Sequence, residues 1–171
     1  HMAYLAEYHN VISLEAALDG LDNISSLPER TVVITFDDGF RNILENGHPI
    51  LRKYGFDYTI FINPAQINLL SSQLSWKEVK KMSNDGVTFA KHTRDHLHLL
   101  DRYPNENKVN WLARVKQNIT MAEDTLSTQL GYSKKWLAYP FGEFDLSLKA
   151  MLKEMGYIGL GQHSGGVGKL S

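Results

Sequence analysis

Two adjacent carboxylates, Asp37 and Asp38, precede Gly39, and two histidines, His92 and His96, stand four residues apart further along the chain. Carboxylate and imidazole are ligands for borderline divalent ions, and a catalytic zinc commonly takes three protein ligands plus water. If the histidine segment forms one helical turn, both imidazoles lie on one face and suit a single ion. A carboxylate at the other segment supplies the third ligand. Neighbouring side chains on extended backbone point in opposite directions, so one aspartate can bind the ion while the other stays free as a base. Zinc is the default ion, with Co2+, Ni2+ or Mn2+ as alternatives. Alone, Asp-Asp-Gly is an ordinary turn. Alone, His-x3-His reads equally well as one packed and one solvated histidine. The combination points to a metal.

Other chemistries fit less well. Thr93 stands where a zinc protease helix would carry its glutamate. Asp37-Asp38 is not followed by the alternating oxygen ligands of a calcium loop. Ser147 and Ser164 lack a Gly-x-Ser-x-Gly elbow. Hydrophobic residues make up 43%, charged residues 22% and the formal net charge is −1, which gives no electrostatic case for nucleic acid or an anionic membrane. There is no cysteine, hence no disulfide and no thiolate site. No apolar run reaches the roughly 20 residues of a membrane helix. His1-Met2 reads as a tag remnant, so the lack of a targeting segment decides nothing about compartment.

The elements that must position these residues alternate between strand and helix. Ser13 caps a helix over residues 11–21. An apolar β-branched run predicts a strand over 31–36, ending at Asp37. A helix over 42–54 follows, started or kinked at Pro49 and stopped at Gly55. A strand over 58–62, a helix opened by Ser75 and a strand over 87–90 lead to His92. The longest helix spans 106–130, with Val109, Leu112, Val115, Ile119, Ala122, Leu126 and Leu130 as its apolar stripe. Strands over 136–138 and 157–160 flank a short helix over 145–155. This predicts an α/β fold with a mostly parallel sheet. In such folds active sites gather at the C-terminal ends of strands, where the aspartates, the histidines and a Tyr-Pro-Phe-Gly turn all fall.

The order Thr35-Phe36-Asp37-Asp38-Gly39, His92-Thr93-Arg94-Asp95-His96 and Tyr139-Pro140-Phe141-Gly142 resembles the NodB-homology polysaccharide deacetylases, carbohydrate esterase family four. The resemblance runs over residues 10–165 and is strongest toward the exopolysaccharide poly-N-acetylglucosamine type. It implies a distorted, incomplete (β/α) barrel, a hydrolase, and one domain over residues 3–171, truncated at its C-terminus. It implies Asp37 as catalytic base and Asp38, His92 and His96 as metal ligands, with Tyr139, Pro140 and Phe141 at the oxyanion and substrate side. The backbone N–H of Phe141 would hold the oxyanion. The implied partner is an N-acetylated glycan polymer, met outside the cytoplasm in an extracellular, periplasmic or envelope setting, and a monomer is expected. Two other readings remain: an O-acetyl esterase of the xylan type on the same site, and a non-catalytic carbohydrate-binding module with a relic metal site.

The chain departs from the family pattern at three places. Ala138 stands where many members carry an arginine that orients the base. Leu97-His98 follows the second histidine where a proline is common, leaving His98 either near the site or on the surface. Gly161-Gln162-His163 follows the fifth strand, with His163 as the candidate general acid or substrate contact, or else as a plain loop histidine.

Overall fold

The computed structural model describes residues 1–21 and 26–162. Helix α1 (Met2–Tyr8), strand β1 (Asn10–Val11) and helix α2 (Leu14–Gly20) come first. Neither α1 nor β1 is anticipated by the sequence pattern, since both are short and lack clear periodicity. Ser13 caps α2 as expected, its hydroxyl accepting from the Ala16 N–H.

The strand predicted over 31–36 is in fact two. β2 (Thr31–Val32) pairs in parallel with β1, and β3 (Ile34–Phe36) pairs with β4 (Tyr58–Ile62). The chain changes sheets at Val33, so one apolar run serves two partners. The predicted helix over 42–54 is also two pieces, a π-helical turn over Ile43–Gly47 running into α3 (His48–Lys53). Pro49 sits in the first turn of α3, at its junction with the π-helical turn.

The main sheet continues with α4 (Trp76–Asn84), β5 (Thr88–Lys91), α5 (Lys108–Leu130), β6 (Trp136–Ala138), α6 (Leu146–Glu154) and β7 (Ile158–Leu160). The order β3-β4-β5-β6-β7 follows the chain, and every adjacent pair is parallel. The sheet curls into a half-barrel, in agreement with the expected incomplete (β/α) barrel. Ser75 closes a full capping box with Glu78 at the start of α4.

Alternation along the strands divides the core. Tyr58, Ile60, Ile62 and Phe89 pack outward with Val79 and Met82 of α4 and Leu126 of α5. Leu137 packs with Trp111, Val115 and Ile119 of α5 and Leu148 and Leu152 of α6. On the concave side, Phe61, Ala90, Trp136 and Ala138 close on Leu14, with Leu18 against them. Both faces are therefore covered, which is why all five residues of β4 are buried and why that strand reads as a continuous apolar run. Val109, expected in the inward stripe of α5, is 75% exposed. Trp111 takes the inward place instead, its indole N–H donating to the Leu99 carbonyl at 2.8 Å. Among the described residues no helix is long and apolar enough to cross a membrane.

Candidate active site

The C-terminal ends of β3, β5, β6 and β7 open on one mouth. At the end of β3 the backbone turns sharply: Asp38 has φ 70° and Gly39 φ 68°. The two aspartates are thus separated by a left-handed turn, not by the strand alternation predicted from sequence. Glycine is required at position 39, because a Cβ there would meet Ile62 Cγ2 at 2.8 Å in a backbone conformation side chains disfavour. Gln73, nearly fully buried, secures the turn. With its NH2 facing them, it donates to the Asp38 and Gly39 carbonyls at 2.9 Å each.

The histidine segment is not a helical turn. Thr93 (φ 64°) and His96 (φ 61°) are both left-handed, and the His96 N–H donates to Thr93 Oγ1 at 3.1 Å. The rings still converge, with centroids 4.8 Å apart, because the turn folds back where a helix would stack. Of seven non-glycine residues with positive φ among those described, four (Asp38, Thr93, His96 and Phe141) line this mouth. Each such residue costs on the order of 1–3 kcal/mol unless its surroundings over-determine it, so the site is held against backbone preference by its packing.

Asp38 Oδ1 lies 3.6 Å from His92 Nε2 and 3.3 Å from His96 Nε2. One ligand atom from each of the three lies within 4.8 Å of the others. His92 is 1% exposed, and its Nδ1–H donates to the Ala138 carbonyl at 2.9 Å. A carbonyl only accepts, so the proton sits on Nδ1 and Nε2 keeps its lone pair toward the cluster. Burial lowers the affinity of His92 for a second proton, against the pull of the Asp37 carboxylate and the Ala138 carbonyl. A neutral imidazole with an inward lone pair, beside a second imidazole and a carboxylate, is a donor set that fits a borderline divalent ion.

Asp37 is not one of those three convergent ligands, but its carboxylate is near enough to act on His92. Its Oδ2 accepts a hydrogen bond from Gln162 Nε2 at 2.9 Å. Tyr139 and Pro140 are buried, and the turn over Pro140–Gly142 puts Phe141 at φ 57° and 49% exposed. The Phe141 ring meets His96 edge-on at 4.5 Å and stacks on His98 at 3.8 Å. His98 therefore belongs to the rim of the site, where Glu143 Oε1 accepts from its Nδ1 at 3.1 Å. Ala138 brings only a methyl and its carbonyl. His163 lies outside the described residues.

Three supporting residues escape sequence reasoning. Gln73 and Asn63 sit in loops without a recognisable signal. Asn63 donates through Nδ2 to the His92 carbonyl. Asn118 does leave a trace, as a polar residue on the inward stripe of α5. Its Oδ1 accepts from the Arg94 N–H at 2.8 Å, and its Nδ2 donates to Asp95 Oδ1 at 2.7 Å. We expect Asn118→Ala to lower the unfolding free energy by about 1–3 kcal/mol in urea titration, since it strands a backbone donor inside the protein. It should also weaken metal binding about tenfold or more by loosening the turn that carries both histidines. An unchanged urea midpoint would mean that the turn stands without it.

The polysaccharide deacetylase family profile matches residues 25–160, and the chain belongs to that family. The chain is 33% identical over 138 residues to the poly-β-1,6-N-acetyl-D-glucosamine N-deacetylase of Staphylococcus aureus (strain N315), covering 75% of this chain and 46% of that protein. It is 28% identical over 161 residues to YxkH of Bacillus subtilis (strain 168), covering 92% of this chain and 53% of that protein. It thus spans about half the length of these curated relatives. Among solved structures, IcaB from Ammonifex degensii superposes with a TM-score of 0.79 at 22% identity, covering 91% of this chain and 70% of that one. The BpsB deacetylase domain from Bordetella bronchiseptica gives 0.81 at 18% identity, covering 96% and 76%. At these identities the superpositions speak for the fold.

Proposed function

We propose that this chain removes N-acetyl groups from a β-linked N-acetylglucosamine polysaccharide, releasing acetate and a free amine. The observation that carries this reading is that the two carboxylates have different partners. Asp38 converges with His92 and His96, while Asp37 lies outside that trio and accepts through Oδ2 from the Gln162 amide. One aspartate is free to act as base where the other binds an ion.

Asp38, His92 and His96 would hold one divalent ion, zinc by default. Such an ion lowers the pKa of a water and polarises an acyl oxygen. The residues of the chain supply the rest. Asp37 takes the proton of the attacking water. The Phe141 N–H, in the turn packed against His96, donates to the oxygen that gains charge as the acetamide carbon becomes tetrahedral. Tyr139 and Pro140 fix that turn from beneath. The leaving amine needs a proton, and Asp37, protonated in the first step, can return it. His163 is the other candidate for that step.

The name of the Staphylococcus relative supports poly-β-1,6-N-acetylglucosamine as the substrate class. A polymer of that kind is met outside the cytoplasm, which supports an extracellular, periplasmic or envelope setting. The test is acetate release from β-1,6-linked N-acetylglucosamine oligomers, chitin oligomers and acetylxylan. We expect release from the β-1,6 oligomers first. Release from acetylxylan alone would make the protein an O-acetyl esterase. Release from none of them, with metal bound, would make it a carbohydrate-binding module.

A further inference from the structure

We infer that Gln162 is the positioning residue for the base, a role that rests on the reading of Asp37 given above. Its side-chain amide donates from Nε2 to Asp37 Oδ2 at 2.9 Å across the mouth of the half-barrel. With Oδ2 engaged, the carboxylate cannot spin freely, and Oδ1 is the oxygen left to receive a proton. The amide is neutral at every working pH, so the orientation it imposes does not depend on the protonation of other groups.

The fold aims this side chain deliberately. The Tyr139 N–H donates to the Leu160 carbonyl at 2.9 Å, carrying the β6–β7 ladder one residue past the strands. Gly159 leaves room for the Tyr139 ring, whose hydroxyl would collide with a Cβ at that position. Gly142, at φ +69°, lies against the Gln162 backbone. A Cβ there would come within 3.2 Å of Gln162 Cβ and 3.5 Å of its nitrogen. The Pro140–Gly142 turn and Gln162 therefore pack together, and that contact directs the Gln162 side chain back toward the end of β3. The residue is exposed and its single bond adds little to stability, so its consequence lies in geometry.

The test compares the wild type, Gln162→Ala and Gln162→Glu, with the ion loaded, on β-1,6-linked N-acetylglucosamine oligomers. We expect kcat to fall about tenfold in Gln162→Ala, the scale of loss when a reacting group is misplaced. Gln162→Glu, similar in size but without the donor and facing Asp37 with like charge, should fall at least as far. KM, zinc affinity measured by competition with a chromophoric chelator, and melting temperature should all stay near wild-type values. A residue that merely supports the loop would move KM, metal affinity or melting temperature together with kcat, and that pattern overturns the inference. So does an active wild type whose kcat survives both substitutions. A metal-loaded wild type that releases no acetate removes the reading of Asp37 and this inference with it.

Discussion

Asp37→Asn is expected to reduce acetate release by about a hundredfold to ten-thousandfold, the range general acid–base catalysis supplies, while leaving metal affinity within about twofold of wild type. Asparagine keeps the shape, and its carbonyl oxygen can still accept from the Gln162 amide, so the turn after β3 should stay as it is. What it lacks is the capacity to take a proton. Asp38→Asn should behave in the opposite way. It changes the carboxylate that meets His92 and His96 at 3.6 and 3.3 Å, so it should lose the ion first and activity as a result. Isothermal titration with zinc, run beside the kinetics, separates the two variants. Equal loss of metal affinity in both would overturn the division of labour between the aspartates. Activity that survives Asp37→Asn would remove Asp37 from the chemistry.

Removing the ion is expected to have the other large effect. Treatment with a chelator should abolish acetate release, and adding zinc back should restore it. Binding to the folded state alone also stabilises it, by about 2.7 kcal/mol at a free ion concentration of a hundred times Kd. The melting temperature of the stripped protein should therefore rise on adding zinc. His96→Ala should remove that rise. His96 is a better choice for this control than His92, whose imidazole is buried and bonded to the Ala138 carbonyl, so that its loss would damage the core as well. Full activity in chelator would sink the proposal that Asp38, His92 and His96 act through an ion.

The residues themselves explain which features were legible beforehand. The order of strands and helices followed from β-branched runs punctuated by Gly and Pro, and from capping residues such as Ser13 and Ser75. Asp38, His92 and His96 were identifiable because their chemistry is explicit in the side chain. The backbone that unites them was not. An ordinary Thr-Arg-Asp spacing between the histidines suggests a helical turn, but the left-handed Thr93 and His96 sit in a turn braced by the local Thr93 Oγ1 bond and by tertiary contacts from Asn118 and Asn63. The split of the strand over 31–36 was hidden for a similar reason. Both halves are apolar and β-branched, and nothing local says that Thr31–Val32 pairs with Asn10–Val11 while Ile34–Phe36 pairs with β4. In the tail, the family resemblance and the place after the fifth strand point to His163 as the candidate acid. The described contact comes from its neighbour Gln162, whose amide has no chemistry of its own and matters only through where it points.

The sequential strand order divides the site along the chain. Asp38, His92 and His96 all lie within the first 96 residues, and the Ala138 carbonyl of β6 sets the tautomer of His92. Asp37 and Gln162 are separated by 125 positions and sit at the two ends of the sheet. The ligand trio is thus contributed by the earlier strands, and the Asp37–Gln162 contact spans the whole sheet. On the proposed reading, the ligand trio and the alignment of the base draw on different parts of the chain, and only the second depends on the strand that ends the sheet.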